Sequence, residues 1–251
     1  LRPERRTSLQ AVVEAFRKGW RATTHDLAAL FALQAAMALI VAAYYLWAPV
    51  TEFLSRYAVW QHHNGALGNG VAAALAGGVL SECSLVYFQN RGRWTTQNLE
   101  GLAFKSVTFF FSGAIVFKFY ELQAFCWGQG YTLSVIIPKV LCDQLGYTVI
   151  FAAPYYALMG RWQMLRYSGA ALWRELNRDF VVDRLLPMLV MNWMFWIPAI
   201  TLVYAMPSVL QAPLAIFATA MWGLLVPALA KQERARELAT APGTDPGLLA
   251  E

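Results

Sequence analysis

Charge is what this sequence has least of: only 14% of its 251 residues are Asp, Glu, Lys or Arg, where a soluble domain carries about 25%. That shortfall excludes an ordinary water-facing domain, and a mean hydropathy of +0.42 agrees. Cysteine is scarce too. Cys83, Cys126 and Cys142 form no CxxC pair, which excludes a zinc ribbon and a disulfide framework; all three are expected as buried free thiols packing as small apolar groups. Catalytic signatures are missing: there is no nucleophile elbow, HExxH, Walker loop or dinucleotide fingerprint. No catalytic, cofactor-binding or metal-binding residue is therefore assigned, no cofactor is expected, and the chain is not read as an enzyme. His62 and His63 stand together in QHHNG, without a third ligand at helical spacing, so they read as residues of a polar loop. No secretory signal peptide is expected in this stretch, since no small-residue cleavage site follows the first apolar run.

What is present is apolar sequence: 58% of residues are hydrophobic, and they lie in long runs. A hydrocarbon core of roughly 30 Å needs about 20 apolar residues per spanning helix. Inside it each backbone N–H and C=O must be paired internally, which leaves helices or closed barrels. Barrel strands would alternate over about ten residues, and these runs do not. The expected fold is therefore all-α, a polytopic membrane bundle of about six helices. The spans read as Leu27 to Ala48, Gly65 to Phe88, Gly101 to Glu121, Lys139 to Gly160, Leu185 to Met206 and Ser208 to Ala230. The last two come from one charge-free stretch, about twice the length a helix needs, and Pro207 and Pro213 are expected to bracket the turn between them.

Residues 1–26 form a basic segment in which Leu9, Val12, Val13, Phe16 and Trp20 share a face opposite Glu14, Arg17, Lys18 and Arg21, as an interfacial helix does. A second interfacial helix is expected over 161–184, with Trp162, Leu165, Leu172, Leu176 and Phe180 along one side. Residues 27–230 make the bundle, and 231–251 a charged, Pro/Gly-rich tail expected to be disordered.

Charge placement orients this bundle. With six spans, sixteen of the 20 Lys and Arg residues fall on one side, in the N-terminal segment, the loop of Arg91 and Arg93, the loop from Arg161 to Arg184, and the tail. Arg56 alone falls opposite, and Lys105, Lys118 and Lys139 lie in or at the spans. The positive-inside rule then places both termini on the cytoplasmic or matrix side. Basic loops facing anionic headgroups account for the pI of about 9.2 without nucleic acid. The partners implied are membrane lipids, small solutes or ions, and further copies of the chain in a homo-oligomer.

An ionisable residue inside a span costs about 2.5–3.5 kcal/mol, while one Leu returns about 0.3–0.6. Such residues need a partner or a watery cavity. Glu82 lies about 9 Å and Lys105 about 6 Å from the inner end of their spans; Asp143 and Lys118 lie about 6 and 4.5 Å from the outer end. Two depth-matched contacts are expected, Glu82 with Lys105 and Asp143 with Lys118. Gly70, Ala74, Gly78 and Glu82 recur every four residues and present a small-residue seam to a neighbouring helix.

The C-terminal half carries a further pattern. KVLCDQ (Lys139 to Gln144) opens a span, and LWRELNRDF contains Trp173, Leu176 and Asp179. Asn192, Trp196 and Pro198 follow, then Pro207 and Trp222. Together these resemble the family of the twenty-two-kilodalton peroxisomal membrane protein and the Mpv-seventeen protein of the mitochondrial inner membrane, over about residues 65–230. Upstream, Gly78 and Glu82 stand where that family has a Gly-Asp pair, and GAIVFKFY (Gly113 to Tyr120) resembles its G-P-x-x-x-x-W-Y. Val86, Gln211 and the Ile197 between Trp196 and Pro198 depart from the pattern. The resemblance implies a small membrane protein with pore-forming or permeability activity and no cofactor. Its positions coincide with the polar set at Glu82, Lys139 and Asp143, to which Lys105, Lys118, Tyr120 and Gln144 are added as network or pore candidates.

The first functional expectation is thus a channel or passive permeability pathway for small solutes or ions. A scaffold whose buried ion pairs fix helix register is the second, and a secondary transporter or membrane-embedded enzyme the third. The location expected is the bacterial inner membrane or an organellar one, mitochondrial inner or peroxisomal.

Overall fold

A computed structural model describes residues 8–24 and 27–223. Among these residues every regular element is helical. In chain order they are α1 (Ser8–Thr24), α2 (Leu27–Leu46), α3 (Ala48–Gln89), α4 (Thr96–Trp127), α5 (Leu133–Met164), the short α6 (Gly169–Glu175), α7 (Arg178–Tyr204) and α8 (Ser208–Gly223). Four of them, α3, α4, α5 and α7, are long and apolar enough to cross a membrane, and α2 and α8 supply two shorter apolar helices. The N-terminal residues 1–7 and the tail expected after 230 lie outside the described residues.

The core is mostly apolar, but large apolar side chains also cover the surface and several polar ones are buried. Phe125 is 88% exposed and Ile150 79%, while Lys139 is 1% exposed and Asn69 fully buried. Exposed apolar patches on soluble monomers rarely exceed a few hundred Å², and here apolar side chains cover the outer flanks of every long helix. Such a surface suits hydrocarbon rather than water.

The helix boundaries follow local chemistry. Trp47 is extended and Pro49 falls in the first turn of α3, where a missing N–H costs nothing. Thr95 caps α4: its Oγ1 accepts from the Asn98 backbone N–H and Asn98 Oδ1 accepts from the Thr95 N–H, a reciprocal capping box. The turn between α7 and α8 occupies only residues 205–207. Pro213 lies inside α8, not at the turn, so Pro207 alone marks it.

Helix α3 corrects the expected polar loop. The QHHNG segment is helical, and the chain bends only at Gly65, whose φ of 55° and ψ of −139° break the helical path. A left-handed φ is cheap for glycine alone. Beyond the bend, Ala74–Val79 widens into a π-turn. α3 packs most extensively against α4, and the small residues allow it: a Cβ on Gly70 would lie 2.9 Å from Phe110 O, and one on Gly78 would lie 2.6 Å from Ser106 Cα. Gly78→Val is expected to destabilise the bundle by about 1–3 kcal/mol through overpacking against backbone, read as a lower melting temperature in detergent.

Two further expectations need correction. Cys83 and Cys126 are exposed and Cys142 half-buried, all as free thiols. The expected second interfacial helix over 161–184 is three pieces: the end of α5, the short α6, and the first turns of α7. A two-pronged ion pair ties them, with Arg161 Nε 2.5 Å from Glu175 Oε2 and Nη2 2.6 Å from Oε1. That hydrogen bonding holds the Glu175 carboxyl below the ordinary carboxylate range. Helix α1 does form, but it meets α7 through its small residues. Ala15 and Gly19 are buried, Gly19 against Pro187 and Val190, which leaves Val13, Phe16 and Trp20 exposed on a helix suited to an interface.

Candidate functional site

Helix α4 carries a polar stripe. Asn98, Lys105, Thr108, Ser112, Tyr120 and Gln123 follow at steps of three, four, seven or eight, so they share one face. All but Lys105 are buried. The facing helix α5 supplies Lys139, Asp143, Gln144, Thr148 and Tyr156, of which the first four are buried. Asp143 and Gln144 turn inward together although they are adjacent in sequence. A π-helical stretch, Cys142–Ala152, follows Pro138 in the chain and makes this possible; such bulges recur at functional sites.

At one end of the stripe, Lys105 Nζ lies 2.7 Å from Glu82 Oε2, and Asn98 Nδ2 donates to Glu82 Oε1 at 2.9 Å. The expected Glu82–Lys105 contact is present. Asn98 joins it because the capping box fixes its side chain beside the carboxylate. A Cβ on Gly101 would lie 3.1 Å from Glu82 Oε2 and 3.3 Å from Gln163 Nε2, so a side chain there would press on this cluster.

In the middle, Ser112 Oγ and Tyr156 OH lie 2.5 Å apart, and Tyr155 OH donates to Thr108 O at 2.9 Å. Asn69 of α3 donates to Gly113 O at 2.6 Å, and its Oδ1 accepts from Gln61. The backbones of α4 and α5 approach closely at few points, and aromatic side chains bridge them, with Tyr147 stacked on Phe119 and Phe109 tilted against Tyr156.

At the other end the expected Asp143–Lys118 contact does not form. Lys118 is exposed and pairs with Glu121 at 2.8 Å, one turn along its own helix. Asp143 binds neutral partners: Tyr204 OH donates to Oδ2 at 2.8 Å and Gln144 Nε2 to Oδ1 at 2.8 Å. The same Tyr204 hydroxyl accepts from Gln123 Nε2 at 2.6 Å. Trp193 Nε1 donates to Gln144 O at 2.9 Å, and the Lys139 ammonium stands 5.8 Å from the Tyr204 ring centre. Gln123, Tyr204 and Trp193 carry no mark in the sequence: all three are uncharged, and Tyr204 and Trp193 lie in a charge-free run.

Beside this cluster opens a cleft of about 280 Å³ between α3, α4 and α8, lined among others by Gln61, His62, Phe117, Tyr120, Ser208 and Gln211. Tyr120 is its inner wall, packed edge-on to Tyr204 with ring centres 5.6 Å apart.

The remaining motif residues divide between packing and surface. Gly78 and Gly113 sit in the α3–α4 crossing. Trp196 packs on the core, and Trp222 meets Phe195 with ring centres 4.8 Å apart. Asn192 is half-buried, Pro198 is exposed inside α7 and Pro207 sits at the turn. Trp173 is 78% exposed, with Leu176 and Asp179 exposed beside it. The chain matches no family model, no curated protein and no solved structure.

Proposed function

We propose that this chain is a six-span membrane protein whose α4–α5 seam is a passive pathway for small solutes or ions. One observation carries the proposal: a polar file runs the length of α4, from Asn98 to Gln123, inside helices whose outer faces are apolar. Burying that many polar groups is costly unless they serve one another or a permeant. In the same proposal α2, α3 beyond Gly65, α4, α5, α7 and α8 cross the bilayer. Both ends lie on the basic, cytoplasmic or matrix side, supported by the bias of sixteen Lys and Arg to that side. The order of KVLCDQ, LWRELNRDF and the late Trp and Pro residues supports distant kinship with the Mpv-seventeen family, and an inner or organellar membrane as its place.

Liposome flux tests the pathway. Tyr120 separates the cleft from the Tyr204–Asp143 cluster, so Tyr120→Ala is expected to raise solute flux several-fold over the parent. Flux no faster than empty liposomes for both proteins, each eluting as a folded species, would sink the pathway. A scaffold role is the second reading, favoured by the closure of the file: Glu82 and Asp143 each hold two hydrogen-bond partners. It expects Tyr120→Ala to lower stability without changing flux.

A further inference from the structure

Charged side chains along the seam and its cleft are matched with one exception. Glu82 holds Lys105 and Asn98, Glu121 holds Lys118, and Asp143 holds Tyr204 and Gln144. Lys139 differs. The residue is 1% exposed and its Nζ has no hydrogen-bond partner. Its nearest assigned company is the Tyr204 ring, 5.8 Å from the ammonium to the ring centre, and a ring face replaces only part of an ammonium's hydration. Asp143 lies one turn along the same helix, yet both its oxygens are engaged by Tyr204 and Gln144 and no ion pair forms with Lys139. Three N–H donors in a poorly solvated interior therefore stand ready for an acceptor from outside the protein.

We propose that Lys139 is the binding site for a small monovalent anion, a halide or a carboxylate of similar size, reached from the cleft past Tyr120 and Tyr204. Unused amide oxygens of Gln61, Gln123 and Gln144 also stand by the cleft and the cluster, but the one full charge there without a hydrogen-bond partner is the Lys139 ammonium, and it favours an anion. Tyr120 lines the cleft and stands in edge contact with Tyr204, whose ring neighbours the Lys139 ammonium; passage by two touching rings restricts the ligand to a small ion. This deepens the pathway reading by giving it a sign: if the seam conducts, it favours anions. The binding site itself does not depend on conduction.

The test uses the full chain, with chloride as the probe, in two arms. In detergent, chloride is titrated against gluconate at equal ionic strength and the melting temperature is read. Ligand binding stabilises by mass action, so chloride well above its Kd is expected to raise the parent's Tm on the order of 3 °C, with the rise lost in Lys139→Gln and kept in Lys139→Arg. In planar bilayers under a tenfold KCl gradient, the parent's reversal potential is expected on the chloride side, shifted towards zero in Lys139→Gln and retained in Lys139→Arg. A parent with equal Tm in the two salts overturns the binding site, even if every variant fails to fold. A conducting parent that is cation-selective or unselective overturns the anion preference and leaves the pathway standing. Chloride stabilisation without conduction does the reverse: the site stands and the pathway falls.

Discussion

Lys105→Met is expected to destabilise the bundle by about 3–5 kcal/mol, the cost of leaving one member of a buried pair uncompensated. At about 2–4 °C per kcal/mol for a chain of this size, the melting temperature in detergent falls by roughly 6–20 °C. The size of the effect follows from where the two charges sit. The Glu82 side chain is 4% exposed and Lys105 is 22% exposed. Methionine fills nearly the volume of the lysine stem, so packing is preserved and the loss is electrostatic. Without the ammonium, Glu82 keeps only the Asn98 amide, 2.9 Å from Oε1. A single neutral donor does not match a carboxylate in that setting.

The converse variant separates this explanation from a general intolerance of substitution. Glu82→Met leaves Lys105 unpaired, but its longer, partly exposed side chain can carry the ammonium to the interface. Its cost is expected to be less than half that of Lys105→Met. The double variant, Glu82→Met with Lys105→Met, replaces the pair by two apolar side chains, a change often neutral or stabilising. It is expected to recover most of the loss, to within about 2 kcal/mol of the parent, the remainder reflecting the amide of Asn98 left without its acceptor. Equal losses in the two single variants, or a double variant as unstable as their sum, would contradict a pairwise origin.

Which features could be read from sequence depends on whether a residue type reports its own depth. Apolar runs do: four of the six expected spans coincide with helices long and apolar enough to cross a membrane, and the other two with the shorter α2 and α8. Ionisable residues do so by their cost, and Glu82 and Lys105, at one level on neighbouring helices, meet. The same logic fails for Asp143 because its partners are neutral. Tyr204 lies in a stretch without any charge, where nothing distinguishes a phenol that donates to a carboxylate from one in an aromatic belt. Lys118 fails for another reason: Glu121, three residues on, lies within reach along the same helix, and a local partner needs no tertiary contact. The Gly65 bend hides behind polar composition, since QHHNG resembles a loop although only the glycine leaves helical geometry. The π-turns have no sequence mark, yet the inward placing of both Asp143 and Gln144 occurs within one. Cys83 and Cys126 come out at the surface because a thiol packs against lipid as readily as against protein.

Tyr204→Phe removes one oxygen and is expected to cost about 2–5 kcal/mol, far more than the loss of an ordinary hydroxyl. The phenol is fully buried and holds two groups at once, accepting from Gln123 and donating to Asp143. With phenylalanine the ring packing on Tyr120 persists, but Gln123 Nε2 loses its acceptor and the Asp143 carboxylate loses the donor at Oδ2. Each buried polar atom left unsatisfied costs about 1–3 kcal/mol, and the two add because one hydroxyl served both. The origin is testable in the same melt: in Gln123→Met the donor is gone, so adding Tyr204→Phe should cost only the Asp143 share, roughly half. A full additive loss would assign the effect to packing. Water reaching the cluster from the cleft would show instead as a loss below about 1 kcal/mol in Tyr204→Phe alone, with Gln123 and Asp143 satisfied by solvent. The magnitude of that single substitution therefore reports whether the Gln123 end of the polar file is sealed or wet, which is the property a pathway along α4 and α5 turns on.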